Sequence, residues 1–178
     1  IIPLRSKETL KIATSLESNF SNISLEFIHR FIPNFFTLGG YATGNISLKG
    51  IEERTKFNYD LNIENSLFDK IPLGKITSRG RYDGERFFVD TLQSLGKDGK
   101  ITAFGSIPFD FNIGSSSFGG YFKSDSLDFH TFGQLNSLSI LTPYITDLDS
   151  VNGDFDLSLS FTGMIENIQR NGHLEVKD

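Results

Sequence analysis

The sequence predicts an all-β protein built on an antiparallel sheet, and three observations lead to this fold class. Several segments alternate apolar and polar residues with period two, which puts the apolar side chains on one face of a strand. Asp-Gly and Asn-Gly pairs separate the segments and suit the tight turns of hairpins. Helical periodicity is confined to two short stretches. We therefore expect a sheet with one apolar and one polar face.

Four segments carry the alternation, in chain order. They are "GNISLKG" at 44–50, "KFNYDLNIEN" at 56–65, "KITAFGSIPFDFN" at 100–112 and "DFDLSLSFTG" at 154–163. In the last one, Phe155 and Leu157 have one parity, while Asp156 and Ser158 have the other. A helix would not separate them in this way, so each segment is predicted to be a strand.

Turns and helices are predicted between these strands. The turn signals are "LGG" at 38–40, "YDGE" at 82–85, "GKDGK" at 96–100, "SSSFGG" at 115–120 and "SVNGD" at 150–154. One short helix is predicted from Leu25 through Phe31 and Ile32, ending at Pro33, and a second from Leu135 to Ile145.

The chain also contains an internal repeat. The segment from Gly40 aligns without a gap with the segment from Gly153, 113 residues later, and the parity matches because Ile46 falls on Leu159. The tetrapeptides "SLEF" at 24–27 and "SLDF" at 126–129 precede the two copies. The predicted unit is a short helix, a strand that ends on Gly and a return strand. It occupies residues 24–65 and 126–178 of a single segment, 1–178.

This layout resembles the TamB branch of the AsmA-like bacterial envelope proteins. The shared pattern is a short apolar helix, a strand that ends in "L-x-G", a short link and a "G-x-L-x-L" return strand, as in "SLSFTGMIENIQRNGHLEVKD". The Gly-punctuated strands of "IPLGKITSRGRYDGERFFVDTLQSLGKDGKITAFGSIPFDFN" also fit the family's pattern. The first copy differs in carrying Tyr59 where the second has Gly172.

The resemblance implies an elongated, strongly curved antiparallel sheet of the β-taco type, with an apolar groove and one or two short helices. It implies a piece of a longer periplasmic protein, anchored in the inner membrane, that shields acyl chains during phospholipid transport between the inner and outer membranes. The predicted partners are phospholipid acyl chains and an outer-membrane barrel protein of the TamA or BamA type, and the fragment is expected to self-associate. The predicted groove lining is Ile46, Leu48, Phe57, Tyr59, Leu61, Ile63, Ile101, Ile107, Phe109, Phe111, Phe155, Leu157, Leu159, Phe161, Leu174 and Val176.

Three other interpretations stay open at this stage. The apolar parity is also what an ordinary core predicts, covered by a second layer. A scaffold for outer-membrane protein assembly would use the sheet edges for strand addition. A sugar-binding or adhesin domain would place exposed aromatic rings on the polar parity, where Phe88 and Phe104 are the candidates.

Other function classes are disfavoured by composition and spacing. The formal charge of -5 argues against a nucleic-acid partner, and the lack of Cys removes thiol chemistry. We expect no enzyme, no cofactor and no metal, because His29, His130 and His173 lack a ligand partner at suitable spacing. Asp154 and Asp156 are expected on the solvated face. Arg79 and Arg81 share one parity and are expected in salt bridges or near lipid headgroups, or simply solvated.

Overall fold

The computed structural model describes residues 14–26, 38–50, 55–69, 71–111, 119–121, 125–138 and 152–177, which form one open sheet. The nine strands are β1 (Thr14–Ser24), β2 (Leu38–Gly50), β3 (Lys56–Phe68), β4 (Ile71–Tyr82), β5 (Arg86–Gly96), β6 (Gly99–Pro108), β7 (Ser126–Ser137), β8 (Asn152–Met164) and β9 (Gln169–Lys177). Each strand pairs antiparallel with the next one along the chain. The predicted all-β antiparallel class is confirmed.

Two predicted turns join neighbouring strands as expected. At the β4–β5 turn, the Asp83 carboxylate accepts the backbone N–H groups of Glu85 at 3.0 Å and Arg86 at 2.9 Å. Gly84 has a φ of 106°, a left-handed conformation that favours glycine. The β5–β6 turn lies in "GKDGK", where the chain reverses between Gly96 and Gly99. Both hairpins lie where the sequence predicts them, and short local hydrogen bonds to Asp83 set the first.

Several predicted elements differ from the structure. The "LGG" segment is not a turn but the start of β2, where a bulge at Gly40 interrupts pairing with β3. The second predicted helix is wrong at its start, because Leu135–Ser137 ends strand β7. Side-chain packing on the sheet overrides the weak helical pattern there. The rest of that helix, at 139–145, and the first helix from residue 27 onward lie outside the described residues.

The two hairpins of the predicted repeat have the same register. Tyr41 stands opposite Glu64 in β2–β3, and 113 positions later Asp154 stands opposite Lys177 in β8–β9. The tetrapeptides do not occupy equivalent places, because "SLEF" begins at the end of β1 and "SLDF" begins β7. A three-residue 3-10 helix, Ile165–Asn167, links the second hairpin. The repeat as a domain feature remains a prediction.

The two faces of the sheet as candidate functional sites

The strand register collects the apolar side chains on one side of the sheet, here called the apolar face. Residues directly opposite each other in neighbouring strands point to the same face. One row across the sheet therefore consists of Leu48, Phe57, Tyr82, Phe87 and Ile107. The same pairing rule assigns every predicted lining residue that lies in a strand to this face. Phe109 and Phe111 follow the end of β6 instead.

Other members of the apolar face were not predicted from sequence. They are Leu16 and Phe20 in β1, Ile76 and Tyr82 in β4, Phe87, Val89 and Leu92 in β5, and Leu127, Phe129 and Leu135 in β7. Small or polar residues, such as Ser78 and Gly80, share their parity and weaken the alternation. Leu127, Phe129 and Leu135 do share one parity, and this signal could have identified β7.

Burial on the apolar face falls from the middle of the sheet to its edges. Tyr59, Ile76 and Val89 are buried in the central strands. At the edges, Leu16 is 57% exposed in β1 and Val176 is 66% exposed in β9. The apolar face is therefore well covered in the centre and open toward both edge strands.

Aromatic rings pack at one end of the apolar face. The ring of Phe111 lies 5.8 Å from Phe57, 5.2 Å from Tyr82 and 5.7 Å from Phe87, measured between centroids. Its backbone N–H donates to the Tyr82 hydroxyl at 3.0 Å. These spacings are typical of favourable aromatic pairs. The chain that follows β6 is thereby held against β3, β4 and β5.

Tyr59 reaches across the neighbouring strand because Gly80 has no side chain. Its ring stacks on Phe87, two strands away, at 5.0 Å and an interplanar angle of 6°. Its hydroxyl donates to the backbone oxygen of Phe88 at 3.3 Å and lies 3.4 Å from the Ser78 hydroxyl. Burial raises the pKa of Tyr59 above its ordinary value of 10.0. The phenol is thus kept neutral within the apolar face.

A second group of apolar side chains packs at the opposite end of the strands. Leu135 of β7 and Phe155 of β8 are buried together. Ile71 and Leu73, from the start of β4, pack against this pair. Side chains from strands that are not neighbours therefore meet over β5 and β6.

The other side of the sheet, here called the polar face, carries ion pairs between adjacent strands. Arg79 Nε lies 2.6 Å from an Asp60 oxygen, and Arg81 Nη1 lies 2.6 Å from an Asp90 oxygen. The Arg81 guanidinium also lies 4.3 Å from the ring centroid of Phe88. Both arginines thus form the salt bridges that were one of their predicted roles.

The remaining titratable candidates in the described ranges lie on the same polar face. His130 Nε2 is 2.9 Å from an Asp128 oxygen on its own strand. Lys177 pairs with Asp156, and this hydrogen bond raises the pKa of the lysine. No group of three or more His, Asp or Glu side chains in the described ranges is arranged to hold a metal ion. None of the helices in that part of the chain has the length and apolar character that crossing a bilayer requires.

Comparison with models of known protein families, with curated proteins and with solved structures finds no match.

Proposed function

We propose that this chain shelters acyl chains on its apolar face, as a periplasmic segment of a longer, inner-membrane-anchored envelope protein of the TamB type that carries phospholipid between the two membranes. The observation that carries the proposal is that all nine paired strands contribute apolar side chains to one face of the sheet, and that this face is open toward both edges. The patterned resemblance described above supports the choice of family.

The proposed function needs only burial and no catalysis. Two acyl chains expose about 30 methylenes, and at ~0.8 kcal/mol each their transfer into water costs about 25 kcal/mol. A continuous apolar surface removes most of this cost, while the headgroup stays in water. Residues such as Leu16 and Val176, exposed at the two edges, would give acyl chains access to the surface.

We propose that the sheet curves around its apolar face, as in a β-taco. β4 and β7 are three strand spacings apart, which would separate them by about 14 Å in a flat sheet. The packing of Leu73 against Leu135 and Phe155 supports a bend that brings these strands closer over β5 and β6. Such a bend would turn the apolar face into a groove.

The test is photo-crosslinking at matched positions on the two faces. Benzoylphenylalanine replaces Leu174 or its neighbour Glu175 in β9, and Leu16 or Glu17 in β1. The protein is then irradiated with phosphatidylethanolamine vesicles that contain an alkyne-tagged phospholipid. We expect lipid adducts at Leu174 and Leu16 in several-fold excess over Glu175 and Glu17, measured by mass spectrometry. The reason is that the first two lie on the apolar face and the other two on the polar face.

The comparison within each pair is fair because all four side chains are exposed to solvent. Equal labelling of the two faces, or labelling confined to Glu175 and Glu17, would remove the lipid-shielding proposal.

A second candidate function is scaffolding of outer-membrane protein assembly by strand addition. Every residue of β9 is exposed, and β8 is its one strand neighbour in the described part of the chain. An unpaired edge presents N–H and C=O groups to an incoming extended segment. A strand of an outer-membrane barrel protein is the proposed client.

Proline at Glu175 and, separately, at Val176 tests this candidate. Alternate backbone N–H groups of β9 face β8 and the open edge, so one of the two variants removes a donor from the open edge alone. We expect that variant to lose at least tenfold in affinity for a labelled peptide with a barrel-strand sequence, measured by fluorescence anisotropy. Lipid labelling at Leu16 should remain. Unchanged peptide affinity in both variants would contradict strand addition at β9.

A further inference from the structure

A depression on the polar face lies above β6, β7, β8 and β9. Its volume is about 410 Å³, which falls within the range of roughly 300–1,000 Å³ found for small-molecule sites. The side chains around it are mainly polar. They are Lys100, Thr102, Phe132, Gln134, Asp156, Ser158 and His173, and the depression is also bordered by Gly133 and Leu157, which have the parity of the apolar face.

The strand register places most of these side chains in two adjacent rows. Thr102, Phe132, Ser158 and His173 stand opposite one another across the four strands. Lys100, Gln134 and Asp156 form the second row, two residues further along, which is a distance of about 7 Å. Four strands span about 14 Å, so the two rows frame an area large enough for one or two sugar rings.

The first row contains an exposed aromatic ring on an otherwise polar surface. Phe132 is 45% exposed, and its ring centroid lies 6.1 Å from that of Phe104, which is 47% exposed, with an angle of 20° between the planes. Two large apolar rings on the solvated side of a sheet lose favourable burial unless a ligand covers them. The polar residues beside them favour a ligand that is itself half apolar and half polar.

Several hydrogen-bonding groups in the depression have no protein partner in the described ranges. The side chains of Lys100, Gln134, Ser158 and His173 form no hydrogen bond or ion pair there. The Asp156 carboxylate, in contrast, is neutralised by Lys177. Lys100 therefore supplies the unpaired charge at the β6 end of the depression. The carboxylate of Glu175 continues the same row in β9, three strand spacings or about 14 Å away, so the charge of Lys100 favours an anionic ligand group at the β6 end.

We propose that this depression binds an acidic sugar residue of the hexuronate class. The C–H face of the pyranose ring lies on Phe132, the carboxylate pairs with Lys100, and the ring hydroxyls hydrogen-bond to Gln134, Ser158 and His173. A simple anion would leave Phe132 uncovered, and a neutral sugar would leave Lys100 unpaired. The site lies on the opposite face of the sheet from the proposed acyl-chain surface. Failure of one proposal therefore leaves the other unaffected.

The test is titration of the whole chain with three probes: methyl glucuronide, methyl glucoside and acetate, followed by NMR or calorimetry at low salt. We expect glucuronide to bind most tightly. Phe132→Ala should lower its affinity at least tenfold because the stacking surface is lost. Lys100→Gln should lower glucuronide affinity to that of glucoside and leave glucoside binding unchanged. Added salt should weaken glucuronide binding selectively.

Two matched variants on the polar face control for nonspecific effects. Phe88→Ala removes another aromatic ring, and Lys75→Gln removes another lysine, and neither residue lies at the depression. Both should bind glucuronide as the unmodified chain does. Binding of acetate as tight as glucuronide would overturn the proposal in favour of an anion site. Equal loss in Phe132→Ala and Phe88→Ala, or no binding of either sugar, would also overturn it.

Discussion

Gly80 has no side chain, and this leaves room for the Tyr59 ring to pass over β4 and contact β5. A methyl group there would overlap the backbone oxygen of Phe88 and lie 2.6 Å from the Tyr59 hydroxyl. The Tyr59 ring could then no longer cross β4 to stack on Phe87. We expect Gly80→Ala to lower the free energy of unfolding by about 1–3 kcal/mol, measured by urea denaturation, because backbone atoms must shift.

Gly133→Ala is the matched control for this substitution. Gly133 also lies on the apolar face, but its added methyl group would meet side-chain atoms, the nearest being Leu157 Cβ at 3.3 Å. At this distance the neighbour has to move by only a few tenths of an ångström. We therefore expect a loss smaller than about 1 kcal/mol. Equal losses in the two variants would show that Gly80 has no special role in positioning Tyr59.

At the scale of the strands, the sequence predicts best where large apolar and polar residues alternate strictly. β3 and β8 were predicted from Phe57 to Ile63 and from Phe155 to Phe161, and both lie where expected. In these strands, period two alone decides both the element and the face that it buries. The pairing of the apolar parity across strands follows from the same rule.

Strands that mix small residues into the apolar parity were harder to predict. β7 places Thr131 and Gly133 between Phe129 and Leu135, so its pattern also fitted a short helix near its end. Bulges such as the one between Arg79 and Gly80 are set by contacts with β5 that single-strand periodicity does not contain. The polar-face depression was missed for a similar reason, because it combines side chains from four strands whose register is a tertiary property.

At the scale of the whole molecule, a side-chain contact between β4 and β7 supports the proposed bend of the sheet. Leu73 packs against the pair formed by Leu135 and Phe155, although two strands separate β4 from β7 along the sheet. All strand pairings in the sheet link direct neighbours in the chain. This contact therefore ties distant parts of the sheet together and stabilises any groove that the apolar face forms.

A double-mutant cycle between Leu73 and Leu135 tests this long-range contact. Each Leu→Ala change removes apolar contacts, and the buried Leu135→Ala is expected to cost about 2–5 kcal/mol. Because the two residues belong to one packed cluster, we expect the double variant to be non-additive by about 0.5–3 kcal/mol in urea denaturation. Leu95→Ala, at an exposed leucine on the polar face, should instead be additive with Leu73→Ala. If the Leu73–Leu135 cycle is as additive as this control, β4 and β7 are not coupled through this contact, and the proposed curvature loses its main support.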